Sequence, residues 1–421
     1  MGLNDTPMAY RVHIGFFGRR NAGKSSVVNA VTGQQMSVVS DVKGTTTDPV
    51  YKSMELLPLG PVVIIDTPGF DDEGSLGELR IQKTREVLQR TDVAVLVADA
   101  RAGLGACEKE LVEMFRESGI PYLLVWNKSD LLEETPEDGE NCISVSALYH
   151  TKIHELKEKI GSLAPQKEER MRLAADLVRP GDTAVLVTPI DSAAPKGRLI
   201  LPQQLVIRDL IDADVCTVVV KENMLAEALQ KLKEPPALVV TDSQVFGLVA
   251  KEVPQEVPLT SFSILMARYK GLLADAVRGA AAMKELRDGD RVLIAEGCTH
   301  HRQCGDIGTV KLPAWLKEYT GKELRYEFCS GMEFPQDLGK FRLILHCGGC
   351  MLNEREMRSR QRRAAEQGIP MTNYGVAIAC MKGILKRSIS MFPHLAEKLL
   401  RGRVYGTRTG TADPGAYGAD G

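Results

Sequence analysis

Short apolar runs alternate with amphipathic stretches over residues 1–160. Residues 13–17, 62–66, 93–99, 122–126 and 142–145 are mostly apolar and end at polar or glycine positions. Helical periodicity begins at Lys24, recurs around 79–89 and returns over 109–118. Strand and helix in alternation predict a parallel sheet with crossover helices. Residues 163–170 are polar, contain a proline and read as a connection.

A second alternating block follows, with strands expected at 183–189, 215–220 and 237–241 and helices at 201–211 and 224–232. No glycine fingerprint follows its first strand, so a scaffold or pairing role is expected of it. A third block starts near Ala282. Strands at 291–296 and 341–346 each run into a cysteine- and histidine-rich turn, and helices are expected at 354–366, 376–386 and 394–400. The segment from Gly406 is rich in Gly, Thr and Asp and predicts a flexible tail. The fold class is therefore α/β, with domains at 1–165, 175–275 and 280–405 and a tail over 406–421.

Composition excludes more than it selects. The 421 residues are 44% hydrophobic and 26% charged, with formal net charge −2. That balance gives no reason to expect nucleic acid as the main partner. No run of about 18 apolar residues predicts a membrane span, and the N-terminus lacks a signal-peptide pattern. Met1-Gly2 with Thr6 fits a myristoylation pattern only nominally. Nine cysteines without a secretion signal point to reduced thiols and metal ligation in a cytoplasmic protein.

Gly18-Arg-Arg-Asn21-Ala22-Gly23-Lys24-Ser25, followed by Ser26, matches the P-loop between a strand and a helix. Its backbone N–H groups would close around phosphates, Lys24 would neutralise the β- and γ-phosphate oxygens, and the Ser25 hydroxyl would meet magnesium. Asp66-Thr67-Pro68-Gly69 ends a later strand, where Asp66 can hold magnesium through water and the Gly69 N–H can sense the γ-phosphate. Asn127-Lys128-Ser129-Asp130 ends another, and the Asp130 carboxylate suits the paired N1 and N2 donors of guanine. Ser146 and Ala147 fit a loop contacting guanine O6 through backbone N–H. Four elements in this order make GTP the expected ligand.

Gly44-Thr45-Thr46-Thr47-Asp48 resembles the switch I segment of the TrmE–Era group of GTPases. That resemblance implies that Thr46 completes the magnesium shell. Asn21 stands where the same group places a potassium-binding asparagine, or it is simply a loop-forming residue. Phe70 follows Gly69, where Ras-type enzymes carry a water-orienting glutamine, so unassisted hydrolysis should be slow. Potassium-assisted, dimerisation-sensitive hydrolysis is expected, with Lys24, Thr46, Asp66 and Gly69 at its centre.

The cysteines and histidines give a second chemistry. Cys298-x-His300 and His346-Cys347-Gly-Gly-Cys350 each follow a predicted strand. Three thiolates and a histidine would satisfy zinc, and three cysteines also suit a 4Fe–4S cluster with one iron left to a weaker ligand. Residue chemistry leaves both open, along with unmetallated thiols. His346, His300, Asp306 and Cys304 are within reach of the fourth position, Cys304 at an unfamiliar spacing. Cysteines 107, 142, 216, 329 and 380 are isolated and read as small buried side chains.

The combination resembles the FeFe-hydrogenase maturation GTPase (HydF) family over residues 8–405. Cys298-Thr-His-His, Asp306-Ile-Gly-x-Val-Lys-Leu-Pro and His346-Cys-Gly-Gly-Cys-Met-Leu-Asn carry the resemblance. It implies a 4Fe–4S cluster on Cys298, Cys347 and Cys350, with a labile fourth ligand. It further implies a scaffold receiving a diiron CO/CN precursor from two radical-SAM maturases and delivering it to apo FeFe-hydrogenase. The middle domain would mediate a homodimer. The competing expectation is an RNA-modification or ribosome-assembly GTPase with structural zinc. The charged stretch 354–363 is expected to be a solvated helix face with pairs such as Glu354–Arg358, with docking of a partner or anionic ligand as the alternative. His150, His154 and His394 read as isolated surface residues.

Overall fold

The computed structural model describes residues 7–34, 49–69, 83–164, 172–189, 199–297, 307–331 and 333–392. The chain divides into two compact units, Met1–Arg170 with Gly349–Arg362, and Met171–Gly348 with Arg363–Gly421. Expectations for 44–48, Phe70, Cys298–Asp306, 394–400 and the tail lie outside the described residues.

In the first unit, β1 (Val12–Phe17), β2 (Val50–Leu56), β3 (Gly60–Asp66), β4 (Val93–Asp99), β5 (Tyr122–Asn127) and β6 (Cys142–Ser144) form one sheet in the order β2-β3-β1-β4-β5-β6. Only β2 is antiparallel to its neighbour. The inner strands are near-continuous Val, Ile and Leu because helices cover both faces. One face packs Ile14, Phe16 and Val125 against α1 (Lys24–Thr32) and α4 (Ile153–Leu163) through Val28, Val31, Leu156 and Ile160. The other packs Phe17 and Ile65 against Leu88, and against Leu111 and Phe115 of α3 (Ala106–Glu117). The rings of Phe17 and Phe115 lie 5.2 Å apart. Leu88 belongs to α2, whose described residues are 83–88.

The second unit holds two all-parallel sheets. β7 (Thr183–Val187), β8 (Cys216–Val220), β9 (Leu238–Thr241) and β10 (Leu259–Ser261) are ordered β10-β9-β7-β8. β11 (Arg291–Glu296), β12 (Arg325–Ser330), β13 (Leu343–His346) and β14 (Met371–Asn373) are ordered β12-β11-β13-β14. Around them run α5 (Leu201–Ile211), α6 (Leu225–Lys231), α7 (Phe246–Glu252), α8 (Phe262–Tyr269), α9 (Leu273–Ala281) and α10 (Leu312–Thr320), then α12 (Tyr374–Met381) and α13 (Leu385–Ile389), while α11 (Glu354–Glu366) begins in the first unit and ends in the second. The helix α9 crosses β14 so closely that a Cβ on Gly279 would sit 2.1 Å from the Met371 carbonyl oxygen. Asn373 caps α12 by accepting the Val376 N–H at 2.7 Å and donates to the Ser263 carbonyl at 3.3 Å, joining the two sheets' helices.

Two expectations are corrected. The single helix expected at 376–386 is broken into α12 and α13 at Gly383, whose φ of 72° is left-handed and ends helices readily at glycine. The helix at 354–366 forms as expected, and Glu354 pairs with Arg358 at 2.5 Å. Its face is not wholly solvated, however: Glu356 and Arg360 are 3% and 1% exposed. Among the described residues no helix is long and apolar enough to cross a membrane.

His13, in β1, is buried and donates its backbone N–H to Asp92 Oδ2 at 2.8 Å. Burial pushes its imidazole down to about 4 from the ordinary 6.5; the Arg11 carbonyl opposes that shift and the Arg90 charge adds to it. A lowered folded-state value means the unfolded chain binds the proton more readily between those two pH values. Stability should be full above about pH 6.5 and decline toward pH 4, by on the order of 3 kcal/mol in all. Urea midpoints taken at about pH 7 and pH 4.5 should therefore fall less for His13→Gln than for the wild type. Equal falls would show that His13 is not the titrating group.

Candidate functional site

The C-terminal ends of β1, β3, β4, β5 and β6 deliver every described nucleotide-motif residue to one edge of the first sheet. Parallel strands require this, because each must exit at the same edge. Gly18 leaves β1 with φ 149°, and any Cβ there would sit 2.2 Å from the Val97 carbonyl oxygen. Asn21 and Gly23 take left-handed conformations, φ 61° and 83°, which turn the loop into the N-terminus of α1. That arrangement of backbone N–H groups suits an anion.

Lys24 and Ser25 begin α1 and face the end of β3. Lys24 Nζ lies 2.5 Å from Asp66 Oδ1, and Ser25 Oγ donates to Asp66 Oδ2 at 3.3 Å. The three groups expected to meet phosphate and magnesium therefore share one position. Thr67 anchors the following turn through its hydroxyl to the Phe16 carbonyl at 2.7 Å. Gly69 runs beside the P-loop, where a Cβ would lie 3.0 Å from the Arg20 nitrogen. Thr46 lies outside the described residues.

Asn127 is buried and uses both ends of its amide. Nδ2 donates to the Ala22 carbonyl at 3.0 Å, and Oδ1 accepts the Ala147 N–H at 3.1 Å. It thus ties the P-loop to the loop carrying Ser146 and Ala147, and the Ala147 N–H is engaged in that tie. Gly23 makes room for it, since a Cβ there would stand 2.2 Å from Asn127 Nδ2. Ser146 Oγ donates to Asp130 Oδ1 at 2.5 Å, which orients the carboxylate. Lys128 reaches the Asn21 carbonyl at 2.6 Å and Asp99 Oδ2 at 2.7 Å. Gly23, Ser26, Asn127, Lys128, Asp130 and Ala147 line a cleft of about 630 Å³.

Several contributors carry no motif signal. Asp99 ends β4 opposite Asn127 in register and anchors Lys128. Hydrogen bonds from the Arg101 guanidinium, and then from Lys128, hold its carboxyl well below the ordinary range. His150, expected to be an isolated surface residue, is exposed but lines the cleft with Leu148. Arg19, within the P-loop, pairs with buried Glu108 at 3.0 Å.

In the second unit, β11 and β13 are adjacent and parallel, with Ala295 opposite His346. Gly297 and Cys347 therefore leave the sheet side by side, and the Gly297 N–H donates to Cys347 Sγ at 3.0 Å. Cys298 comes next after Gly297 but lies outside the described residues, as do His300, Cys304 and Asp306. His346 is fully buried, with Nδ1 2.8 Å from the Cys347 carbonyl oxygen and its ring 6.3 Å from that of Phe334. Among the described residues no group of three or more His, Cys, Asp and Glu side chains could hold a metal ion.

Comparison with known proteins divides the chain in three. Residues 13–128 match the 50S ribosome-binding GTPase family, 173–271 the hydrogen maturase F dimerization domain, and 274–391 the hydrogen maturase F tetramerization domain. The tRNA modification GTPase MnmE of Chromobacterium violaceum is 34% identical over 154 residues, 35% of this chain and 34% of that protein. The GTPase Der of Wolinella succinogenes is 31% identical over 165 residues, 35% of each. The chain thus spans about a third of the length of these curated relatives. A solved structure of an Aquifex aeolicus Era variant bound to GDP·AlF4⁻ has a TM-score of 0.33 at 19% identity, covering 50% of this chain and 93% of that one. The homodimer expected from the middle block is extended by a third block that matches a tetramerization domain. A P-loop GTPase domain followed by two consecutive hydrogen maturase F domains places the chain in the hydrogen maturase F (HydF) family.

Proposed function

We propose that this protein is a GTP-hydrolysing scaffold that holds a 4Fe–4S cluster and carries a diiron CO/CN precursor to apo FeFe-hydrogenase during H-cluster assembly. One observation carries the reading: a P-loop sheet edge and a cysteine at the end of β13 lie on a chain whose 173–391 region matches hydrogen maturase F domains. The rival, an RNA-modification or ribosome-assembly GTPase with structural zinc, draws support from the GTPase match over 13–128, which does not reach the 173–391 region, and from relatives that match about a third of the chain. The proposed setting is cytoplasmic, in a homo-oligomer that meets the two radical-SAM maturases and apo-hydrogenase.

For GTP, Lys24 would leave Asp66 for the β- and γ-phosphates, freeing that carboxylate to hold magnesium with Ser25 and Thr46. Asp130, already oriented by Ser146, would take the guanine N1 and N2 donors. Asn21 would hold potassium, where a monovalent charge can serve as an arginine finger does in other GTPases. Gly69 would register the γ-phosphate through its N–H.

For the cluster, Cys298, Cys347 and Cys350 would be the protein ligands, with His346, His300 or Asp306 at the fourth position. The donor set fits, since soft sulfur suits iron and Cys347 Sγ already accepts an N–H bond. When bound, the cluster would supply an iron with one position not taken by cysteine, where a ligand of the precursor could attach.

Lys24→Ala should lower GTP turnover by about 10²-fold or more, measured as phosphate release from full-length protein. Replacing potassium by sodium should slow the wild type, and equal rates in the two salts would remove Asn21 from the mechanism. Anaerobically loaded wild-type protein should be brown, with broad absorption near about 400 nm. Cys347→Ser should abolish that colour and leave GTP turnover within about twofold. A colourless wild type carrying stoichiometric zinc would overturn the cluster assignment.

A further inference from the structure

The first turns of α11, the helix that begins just after the Cys347-Gly-Gly-Cys350 loop, belong to the same compact unit as the GTPase domain. Their contacts there are specific. Asn353 accepts the Glu356 N–H at 2.9 Å, capping the helix, while its Nδ2 donates to the Arg90 carbonyl at 2.8 Å. Arg355 donates to the Ser118 carbonyl at 2.5 Å and the Gly119 carbonyl at 3.2 Å. Glu356, almost fully buried, accepts from Arg90 Nε at 3.3 Å and Arg360 Nε at 2.9 Å.

Arg90 stands where nucleotide-dependent movement would be felt. Its N–H closes the end of α2 on the Val87 carbonyl at 3.0 Å, and its Nη1 donates to the Tyr51 hydroxyl at 3.3 Å. Tyr51 lies in β2, shortly after the 44–48 segment, and is paired with Ile65 beside Asp66. One arginine therefore touches the strand after switch I, the helix after Gly69, and the helix after Cys350. At the loop, Gly349 has φ 60° and lies against α11, where a Cβ on it would stand 2.4 Å from Met357 Sδ.

We infer that Arg90 is a relay residue through which the state of the nucleotide sets the position of the Cys350 loop, by docking and undocking Glu356. Arg360 makes the contact reversible. When Arg90 withdraws, the carboxylate keeps its i,i+4 partner within α11 and is not stranded as an unpaired buried charge. Arg90 touches none of the nucleotide-motif side chains described above and acts as a positioning residue. This inference rests on the GTP-binding reading proposed above.

The test is hydrogen–deuterium exchange on the full chain, comparing GDP with a non-hydrolysable GTP analogue, with occupancy followed separately by a fluorescent guanine nucleotide. Amides within 349–357 should exchange at rates differing by about threefold or more between the two states. Arg90→Met should erase that difference while nucleotide affinity stays within about twofold. Glu356→Gln, which keeps the side chain's shape, should erase it too and serves if the arginine variant does not fold. Equal exchange in both states of the wild type, or a difference surviving in either folded variant, would overturn the relay. Failure to bind either nucleotide would instead sink the GTP reading, and the relay with it, and the fluorescence tells the two apart.

Discussion

A parallel strand always releases its chain at the same edge of the sheet, and both candidate sites depend on that constraint. In the first sheet it brings Gly18, Asp66, Asp99, Asn127 and Ser146 together from five strand ends. In the β12-β11-β13-β14 sheet it sets Gly297 beside Cys347 at the ends of neighbouring strands.

Convergence at an edge does not by itself orient side chains, and buried polar bonds supply that step. Asn127 is the clearest case, because one amide holds Ala22 and Ala147 from two loops. Losing it would strand a buried donor and acceptor, each at a cost of about 1–3 kcal/mol. Asp99 acts similarly on Lys128, and Ser146 on Asp130. The loops at this sheet edge are thus held in shape by hydrogen bonds among their own groups.

Elements with strong local signals were legible from sequence, and those defined by tertiary contact were not. The apolar runs of β1, β3, β4, β5, β11 and β13 announced themselves, and α5 and α11 fall where periodicity predicts. β2 did not: it is an edge strand, half exposed and carrying Lys52 and Glu55, so it lacks the continuous apolar run. β10 and β14 have three residues each, too few for a period to register. The motif residues that the structure describes gather at one sheet edge and Thr46 lies outside the described residues, whereas Asp99 and His150 enter only through register and loop path. Glu356 and Arg360 belong to a stretch expected to be a solvated helix face, since spacing on one helix cannot reveal a partner like Arg90, far away in sequence.

That last pair bears on how the two chemistries could share a chain. Linkage requires that if nucleotide state changes the free energy of the Cys350 loop, the occupant of that loop changes nucleotide affinity by the same factor. A scaffold with such coupling needs no separate sensor for its cargo, because loading would register at Arg90 as a shift between the docked and undocked forms of Glu356. The size of the effect is limited by the difference between those two forms. With Arg360 retaining the carboxylate in either form, that difference is smaller than the cost of a stranded buried charge. The arrangement therefore favours a modest, reversible coupling over a latch.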